Sequence, residues 1–330
     1  MSLALRVLRS TVRAPRVYRA MSAVPASAVK ELRARTSAGM MDCKKALEAC
    51  SGDMEEAIAY LRKHSANIVA KKAGRAASDG LVSVQVAGDA SHAALVEVNS
   101  ETDFVASNEM FVSFADMVSS MVLAKEKSQP ADQEAALEAL RTQATPDNSS
   151  TVQEELHNLI AKVGENVLLR RMAVLSVEPG SAMVVPYIHN TVNPTCGKIG
   201  VVVAVTADEM PAQGTPAWDA LATLGKRAAM QVAAAKPEFL DRSAVDTSAL
   251  ESEREVLVEQ ARASGKPEHI IEKMVTGRLD KYYKEVCLQE QEWMLGGVEG
   301  SAASAIATLG KEAGLENARV VDFTSMVVGQ

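Results

Sequence analysis

Cysteine and histidine are the residue types in this chain that could act as nucleophiles, bases or metal ligands. The sequence contains four cysteines and five histidines, and they form no C-x-x-C pair and no cysteine–histidine pair at the spacing of a zinc site. We therefore expect no metal site, no bound cofactor and no disulfide framework. An enzyme that uses Cys43 or Cys196 as its nucleophile stays an alternative, although the sequence shows no base or oxyanion arrangement for either thiol.

The histidines are scattered, and most of them have no partner that would make them catalytic. His64 and His92 have the surroundings of surface positions, and His157 and His269 lie on predicted helices beside acidic residues. A histidine without a positioned partner is weak support for catalysis. We expect structural or solvated roles for these four.

Motifs that cradle phosphates or form an active site are also missing. Each Gly-Lys pair lacks the upstream glycine and the following Ser or Thr of a P-loop. The motifs of dinucleotide binding, serine hydrolysis and zinc proteolysis do not occur either. The chain therefore carries no P-loop and no hydrolase motif.

One polar stretch, Glu101–Glu109, is conspicuous because it contains an aromatic residue, Phe104, in a chain in which only 4% of residues are aromatic. Two interpretations are open from the residues alone. Thr102 and Asp103 could form a turn that buries Phe104 in the local core, as is common for apolar loop residues. Alternatively, the loop exposes Phe104 as a wedge that inserts into a pocket of a partner protein.

The elements that must position this stretch change period along the chain. Residues 27–64 have the spacing of three short helices, and from Gly80 the order strand, turn, strand, helix occurs twice. Two amphipathic helices follow, with Gly265 and Pro267 between them, and they predict an antiparallel coiled-coil hairpin. The fold class is therefore α+β: a three-helix N-terminal domain, then a core of two related α+β subdomains with the inserted hairpin. The expected bounds are 23–78 for the helical domain and its linker, 79–180 and 181–330 for the subdomains, and about 248–284 for the hairpin.

Charge divides the chain into a basic leader and an acidic body. The formal net charge is −7, which argues against coating nucleic acid by charge alone. Residues 1–20 nevertheless hold five arginines and no carboxylate, the composition of an organelle transit peptide. We expect residues 1–22 to be a mitochondrial transit peptide and the protein to act in the mitochondrial matrix. A plastid is the alternative, and so is a basic tail that is kept.

Five groups of residues, in order, resemble motifs of the elongation factor Ts family. Val29–Leu47, with Lys71–Gly74, is similar to the N-terminal domain of that family. The resemblance runs from about residue 27 to the last predicted strand, and with the leader it indicates the mitochondrial type. Four later motifs continue it: Glu97–Val105, Lys162–Asn166 with Arg170 and Arg171, Val232–Phe239, and Gly265–Leu288.

This resemblance implies a guanine-nucleotide exchange factor whose partner is elongation factor Tu, here the organellar GTPase. It implies a protein that is not an enzyme in the bond-making sense, with a ubiquitin-associated-like N-terminal domain and no direct nucleic acid or membrane partner. In the family, the segment that matches Thr102, Asp103, Phe104 and Val105 enters the GTPase near its magnesium site. The N-terminal domain packs on the same GTPase domain, so we expect Gly39, Met40 and Met41 to contact it, with His189 as a further contact.

Three departures from the family pattern and two alternatives stay open. Gln231 stands where many members have histidine, the turn at Asn190–Cys196 is longer than usual, and Gln291–Leu295 replaces an apolar stretch that contains proline. We assign no partner contacts at these places. Met40 could instead plug the junction of the first two helices, and the helical domain could be a pure binding module that leaves nucleotide release unchanged.

Overall fold

The computed structural model describes residues 24–36, 38–262 and 267–330. The expected transit peptide, residues 1–22, lies outside the described residues. The chain divides into two compact units, one ending at His64 and the other beginning at Ser65. Each unit has its own core and is described separately.

The first unit consists of α1 (Ala26–Thr36), α2 (Met40–Ala49) and the first part of α3 (Met54–Lys72). Its small core is made of side chains at helical spacing, chiefly Leu32, Cys43, Ala46, Leu47 and Leu61. The Asp53 carboxylate accepts a hydrogen bond from the backbone N–H of Glu56 at 2.8 Å and so satisfies an unpaired donor where α3 begins. Residues 27–64 thus form the three helices that their periodicity predicts.

The second unit is built on a six-stranded sheet in which every pairing is antiparallel. The strand order is β3-β2-β1-β5-β4, and β6 also pairs with β5. Because β1 and β5 share only two residue pairs, the sheet consists of two three-stranded halves. The strands are β1 (Asp79–Val86), β2 (His92–Ser100), β3 (Val167–Ser176), β4 (Met183–Thr191), β5 (Cys196–Thr206) and β6 (Arg319–Val327).

Helices cover the outer face of each half-sheet, and the inner faces pack on one another. One core joins the first half to its helices and includes Val96 and Phe111. A second core joins the other half to its helices and includes Val203 and Leu221. Leu95, Val202 and other alternate strand residues form the third core, between the half-sheets. Strands that are buried on both faces in this way must be apolar at successive positions, as Ile199–Val205 is.

The helices of the second unit differ in length and in how they begin. Thr151 starts α7 with a reciprocal capping box with Glu154, and Gly164 ends α7 in the left-handed region with φ 78°. The helices after α3 are α4 (Asp103–Ala106), α5 (Glu109–Lys125), α6 (Gln133–Arg141), α7 (Val152–Val163), α8 (Pro216–Ala235), α9 (Thr247–Arg262), α10 (Glu268–Val286) and α11 (Ala302–Glu312).

Helices α9 and α10 pack on one another through Leu257, Ile271 and Val275. At the other end of α10, the Arg242 guanidinium donates to Glu290 at 2.6 Å and to Asp280 at 3.0 Å, and it lies over the ring of Tyr283. The helix pair is therefore fixed at its base by a charged cluster.

The free edge of β3 is covered by polar side chains. Gln133 donates to the carbonyl oxygen of Met172 at 2.7 Å and accepts from its N–H at 3.2 Å. Gln129 accepts from the N–H of Val174 at 2.8 Å. These amides occupy positions at which a further strand would otherwise bond.

Candidate functional site

The expected wedge lies in a tight turn between β2 and α5, and we call Glu101–Ala106 the wedge turn. Thr102 caps the single helical turn Asp103–Ala106, because its hydroxyl accepts from the N–H of Val105 at 3.4 Å. Ala106 is buried and Val105 packs against the first-half core. With Val105 and Ala106 turned inward, the side chain before them faces outward, and Phe104 is 84% exposed. Burial of Phe104 in the local core is thereby excluded.

The wedge turn is held by a second segment, which lies between α7 and β3. The two carboxylate oxygens of Glu165 accept from the N–H and the hydroxyl of Thr102, at 3.0 and 2.7 Å. In return, Glu101 accepts from the N–H of Asn166 at 2.6 Å. Arg75 contacts both segments, because its guanidinium lies 3.4 Å from Glu101 and its carbonyl oxygen accepts from the Asn166 amide at 2.8 Å.

Sequence reasoning assigned no role to these bracing residues. Arg75, Glu165 and Asn166 lie within or beside two of the motifs that carry the family resemblance, Lys71–Gly74 and Lys162–Asn166. The one indication in the sequence that these residues have a structural role is that the two motifs contain charged and amide side chains without any catalytic pattern. Their contacts with the wedge turn come from the fold and could not be read from sequence spacing.

The methionines of the first unit are also on the surface. Met40 and Met41 begin α2 and are 59% and 61% exposed, and Gly39 precedes them in an extended conformation. An exposed Met40 does not plug the junction of α1 and α2. Adjacent methionines on a surface offer an adaptable apolar contact.

His189 lies near the end of β4, in the second half of the sheet. Its ring is exposed, and its Nδ1 lies 3.0 Å from the hydroxyl of Tyr187. His92 does not match its expected surface position, because it is buried. Its Nε2 lies 3.2 Å from the carbonyl oxygen of Leu123 and 3.2 Å from the Nζ of Lys127, so it links β2 to α5 and to the residues that follow it.

Both cysteines that could have served an enzyme are buried. Burial raises the pKa of Cys43, and it raises the pKa of Cys196 to about 12. Cys196 also lies against a carboxylate, with its sulfur 3.2 Å from Asp116 Oδ1. A thiol with a raised pKa is a poor nucleophile, so neither cysteine is suited to catalysis.

Asp116 is the centre of a polar cluster that joins the halves. Burial pushes the Asp116 pKa upward, but hydrogen bonds from neighbouring side chains outweigh this effect and hold the pKa below its usual value. Thr195 donates to Asp116 at 2.6 Å, Asn193 at 2.8 Å and Ser83 at 2.9 Å. The turn that is longer than the family pattern, Asn190–Cys196, is thus attached to α5 and β1.

The other two departures from the family pattern contact one another. Gln231 is fully buried in α8, and it donates to the carbonyl oxygen of Glu292 and accepts from the N–H of Met294, both at 3.0 Å. It therefore holds the backbone of the altered stretch Gln291–Leu295. A buried side chain with this role is not available to contact a partner.

No helix in the described part of the chain is long and apolar enough to span a bilayer. Within residues 24–36, 38–262 and 267–330, no three His, Cys, Asp or Glu side chains are grouped so that they could hold a metal ion.

Comparisons with known proteins give one consistent result. The family model described as elongation factor TS matches residues 101–330. Elongation factor Ts of Paramagnetospirillum magneticum is 46% identical over 310 residues, which cover 94% of this chain and 93% of the relative. Elongation factor Ts of Rhodospirillum rubrum is 48% identical over 295 residues and 89% of each chain. The protein of the same name from Clostridium botulinum is 44% identical over 274 residues and 83% of each.

Proposed function

The chain belongs to the elongation factor Ts family and is a translation elongation factor that promotes nucleotide exchange on elongation factor Tu; from this premise we propose that Phe104 is the wedge that opens the magnesium site of the partner. The exchange factor makes and breaks no covalent bond and has no nucleotide site of its own. The observation that carries the proposal is the 84% exposure of an aromatic side chain on a turn whose first two residues, Glu101 and Thr102, are held by hydrogen bonds.

Thermodynamic linkage gives the mechanism. A GTPase holds GDP through backbone amides, a lysine and a magnesium ion that bridges to the phosphate. A protein that binds the distorted GTPase more tightly must weaken GDP by the same factor by which GDP weakens that protein. Phe104 supplies the apolar contact that displaces side chains supporting the water shell of the metal. Asp103, exposed beside it, adds charge and hydrogen-bonding capacity near that site.

The remaining contacts support this action without performing it. Gly39, Met40 and Met41 form the docking surface of a ubiquitin-associated-like N-terminal domain, and the exposure of the two methionines in the first unit supports this role. Thr102 and Val105 hold Phe104 in place, and His189 is a further contact from the second half. Helices α9 and α10 form the coiled-coil hairpin.

The partner in this proposal is the organellar form of elongation factor Tu, and the protein acts in the mitochondrial matrix after the leader is removed. The arginine-rich, acid-free composition of residues 1–20 supports this location. A fusion of residues 1–26 to a fluorescent reporter tests it. Import and cleavage near Tyr18–Ser22 are expected, and a reporter that stays in the cytosol with Arg6 and Arg9 intact would contradict the mitochondrial location.

The magnesium mechanism has its own test. Release of labelled GDP from elongation factor Tu is followed by stopped flow with the wild-type protein and with Phe104→Ala, in excess magnesium and in EDTA. Since the wedge acts by disturbing the metal, the wild type should be much faster than Phe104→Ala in magnesium, and the two should differ little in EDTA. An equal advantage for the wild type in both conditions would show that Phe104 does not act through the metal.

A further inference from the structure

We propose that Glu165 is a positioning residue for the wedge: its carboxylate fixes the geometry in which Phe104 is presented to the partner. This inference rests on the proposed function, because it concerns the same turn. Glu165 lies between α7 and β3, and it bonds the wedge turn through the N–H and the hydroxyl of Thr102.

The contact determines how the Thr102 hydroxyl is oriented. That hydroxyl donates its proton to Glu165 at 2.7 Å, and its oxygen accepts from the N–H of Val105 at 3.4 Å. A hydroxyl has one proton and can accept with its lone pairs. Because Glu165 accepts the hydrogen bond from this hydroxyl, the lone pairs of the hydroxyl oxygen face the turn and can cap it. The second carboxylate oxygen of Glu165 accepts from the N–H of Thr102 at 3.0 Å.

Each of the two segments bonds the other through a carboxylate. Glu165 bonds the wedge turn, and Glu101 of the wedge turn bonds the N–H of Asn166 at 2.6 Å. Glu165 is itself held where α7 ends, because Lys72 donates to the carbonyl oxygen of Gly164. Hydrogen bonds with an ionised partner are roughly twice as strong as neutral ones. The pair of glutamates therefore fixes both the start of the wedge turn and the segment that supports it.

Such bracing is needed because the turn has little stability of its own. Its helix has four residues, Asp103–Ala106, and an isolated helix of that length does not form in water. Phe104 is 84% exposed and contributes almost no burial to the folded protein. A turn ordered before binding avoids the entropy cost of ordering it in the complex. Glu165 thus supplies preorganisation to a side chain that the core does not hold.

The first test is hydrogen exchange in the free protein, which needs no partner. Glu165→Ala should speed exchange of the backbone amides of residues 102–106, because the bonds at Thr102 and Val105 are weakened. The matched control is Glu155→Ala, since Glu155 also accepts from a hydroxyl, that of Ser150 at 2.7 Å, but lies within α7. The control should leave exchange of residues 102–106 unchanged.

The second test is stimulated GDP release on elongation factor Tu, measured for Glu165→Ala, Phe104→Ala and the double variant. Losing two bonds to a charged group should lower the maximal rate by about tenfold, with a smaller change in the half-saturating concentration. In the Phe104→Ala background the same substitution should have little further effect. Thr102→Val removes the hydroxyl that Glu165 orients, and it should lower the maximal rate as Glu165→Ala does.

The outcomes separate the two proposals. Unchanged amide exchange in Glu165→Ala, or a full further loss in the Phe104→Ala background, would overturn the positioning role. A fully active Phe104→Ala protein would instead overturn the wedge role of Phe104, and with it the effect of Glu165 on GDP release. A thermal melt of each variant shows whether a loss of rate reflects loss of the folded state.

Discussion

The segments that follow β2 and β5 occupy the same place in the two halves, each between a second strand and a long helix, yet their apolar side chains face opposite ways. After β5, Met210 packs against the second-half core, and the Thr206 hydroxyl lies 3.5 Å from its sulfur. After β2, Phe104 faces solvent. The exposed aromatic is therefore not a consequence of strand order alone.

The supports of the two segments also differ. In the segment after β5, the N–H of Asp208 donates to the carbonyl oxygen of Glu316 at 3.0 Å, and the Asp208 carboxylate accepts from the side-chain amide of Asn317 at 2.5 Å. The wedge turn is held by Glu165 from another segment, and its own Glu101 accepts from the N–H of Asn166. A buried apolar side chain stabilises its own loop by leaving water, whereas an exposed one requires support from polar contacts.

The largest expected effect comes from Phe104→Ala. An interface anchor is worth about 2 kcal/mol or more, so stimulated GDP release should slow by roughly thirtyfold. Because Phe104 is exposed in the free protein, the melting temperature should hardly change. Stopped flow measures the rate of GDP release, and a thermal melt of the same sample measures the stability. An unfolded variant would show that Phe104, like Met210, stabilises the fold.

Met210→Ala should give the opposite pattern. Met210 is half-buried in the second-half core, so truncation should cost about 1–2 kcal/mol of unfolding free energy. Stimulated GDP release by the folded protein should stay unchanged. Urea unfolding and the exchange assay measure the two quantities, and a slower release at full occupancy would mean that this segment also acts on the partner.

Asp116→Asn tests a third way of fixing a turn, in which a carboxylate of one half holds a turn of the other. The folded-state pKa of Asp116 lies below its ordinary 3.8, so its contribution is present above that value and is lost as pH falls through the folded pKa. The variant should lose about 1 kcal/mol at neutral pH and should lose less than the wild type on acidification below about pH 4. Urea unfolding at several pH values measures this difference. The free energy of unfolding would depend on pH equally in the variant and the wild type if Asp116 were not involved.

The sequence predicts the elements well because their signals are local. Helical spacing in residues 27–64, strand alternation from Gly80 and the capping residues Asp53 and Thr151 each depend on near neighbours. The family resemblance likewise identified the function, because its motifs are contiguous. The bounds of the two subdomains stay a prediction.

What the sequence could not supply is the set of contacts between distant residues. The wedge turn is bonded by Glu165, which lies 63 positions from its partner Thr102 in the chain, and the contact of His92 with Leu123 joins it to α5. Gln231 was a departure without an explanation until the fold placed it against Met294. Each of these facts requires knowing which segments the sheet brings together.

The covered edge of β3 has a consequence for the protein at high concentration. An uncovered edge strand can pair with the same strand of another copy and start an ordered aggregate. Gln133 occupies the N–H and the carbonyl oxygen of Met172, and Gln129 occupies the N–H of Val174. Another edge strand, β4, carries Pro186, which has no N–H to offer. The two glutamines therefore protect this edge from pairing with another chain, since a second chain would have to displace their hydrogen bonds before it could add to the sheet.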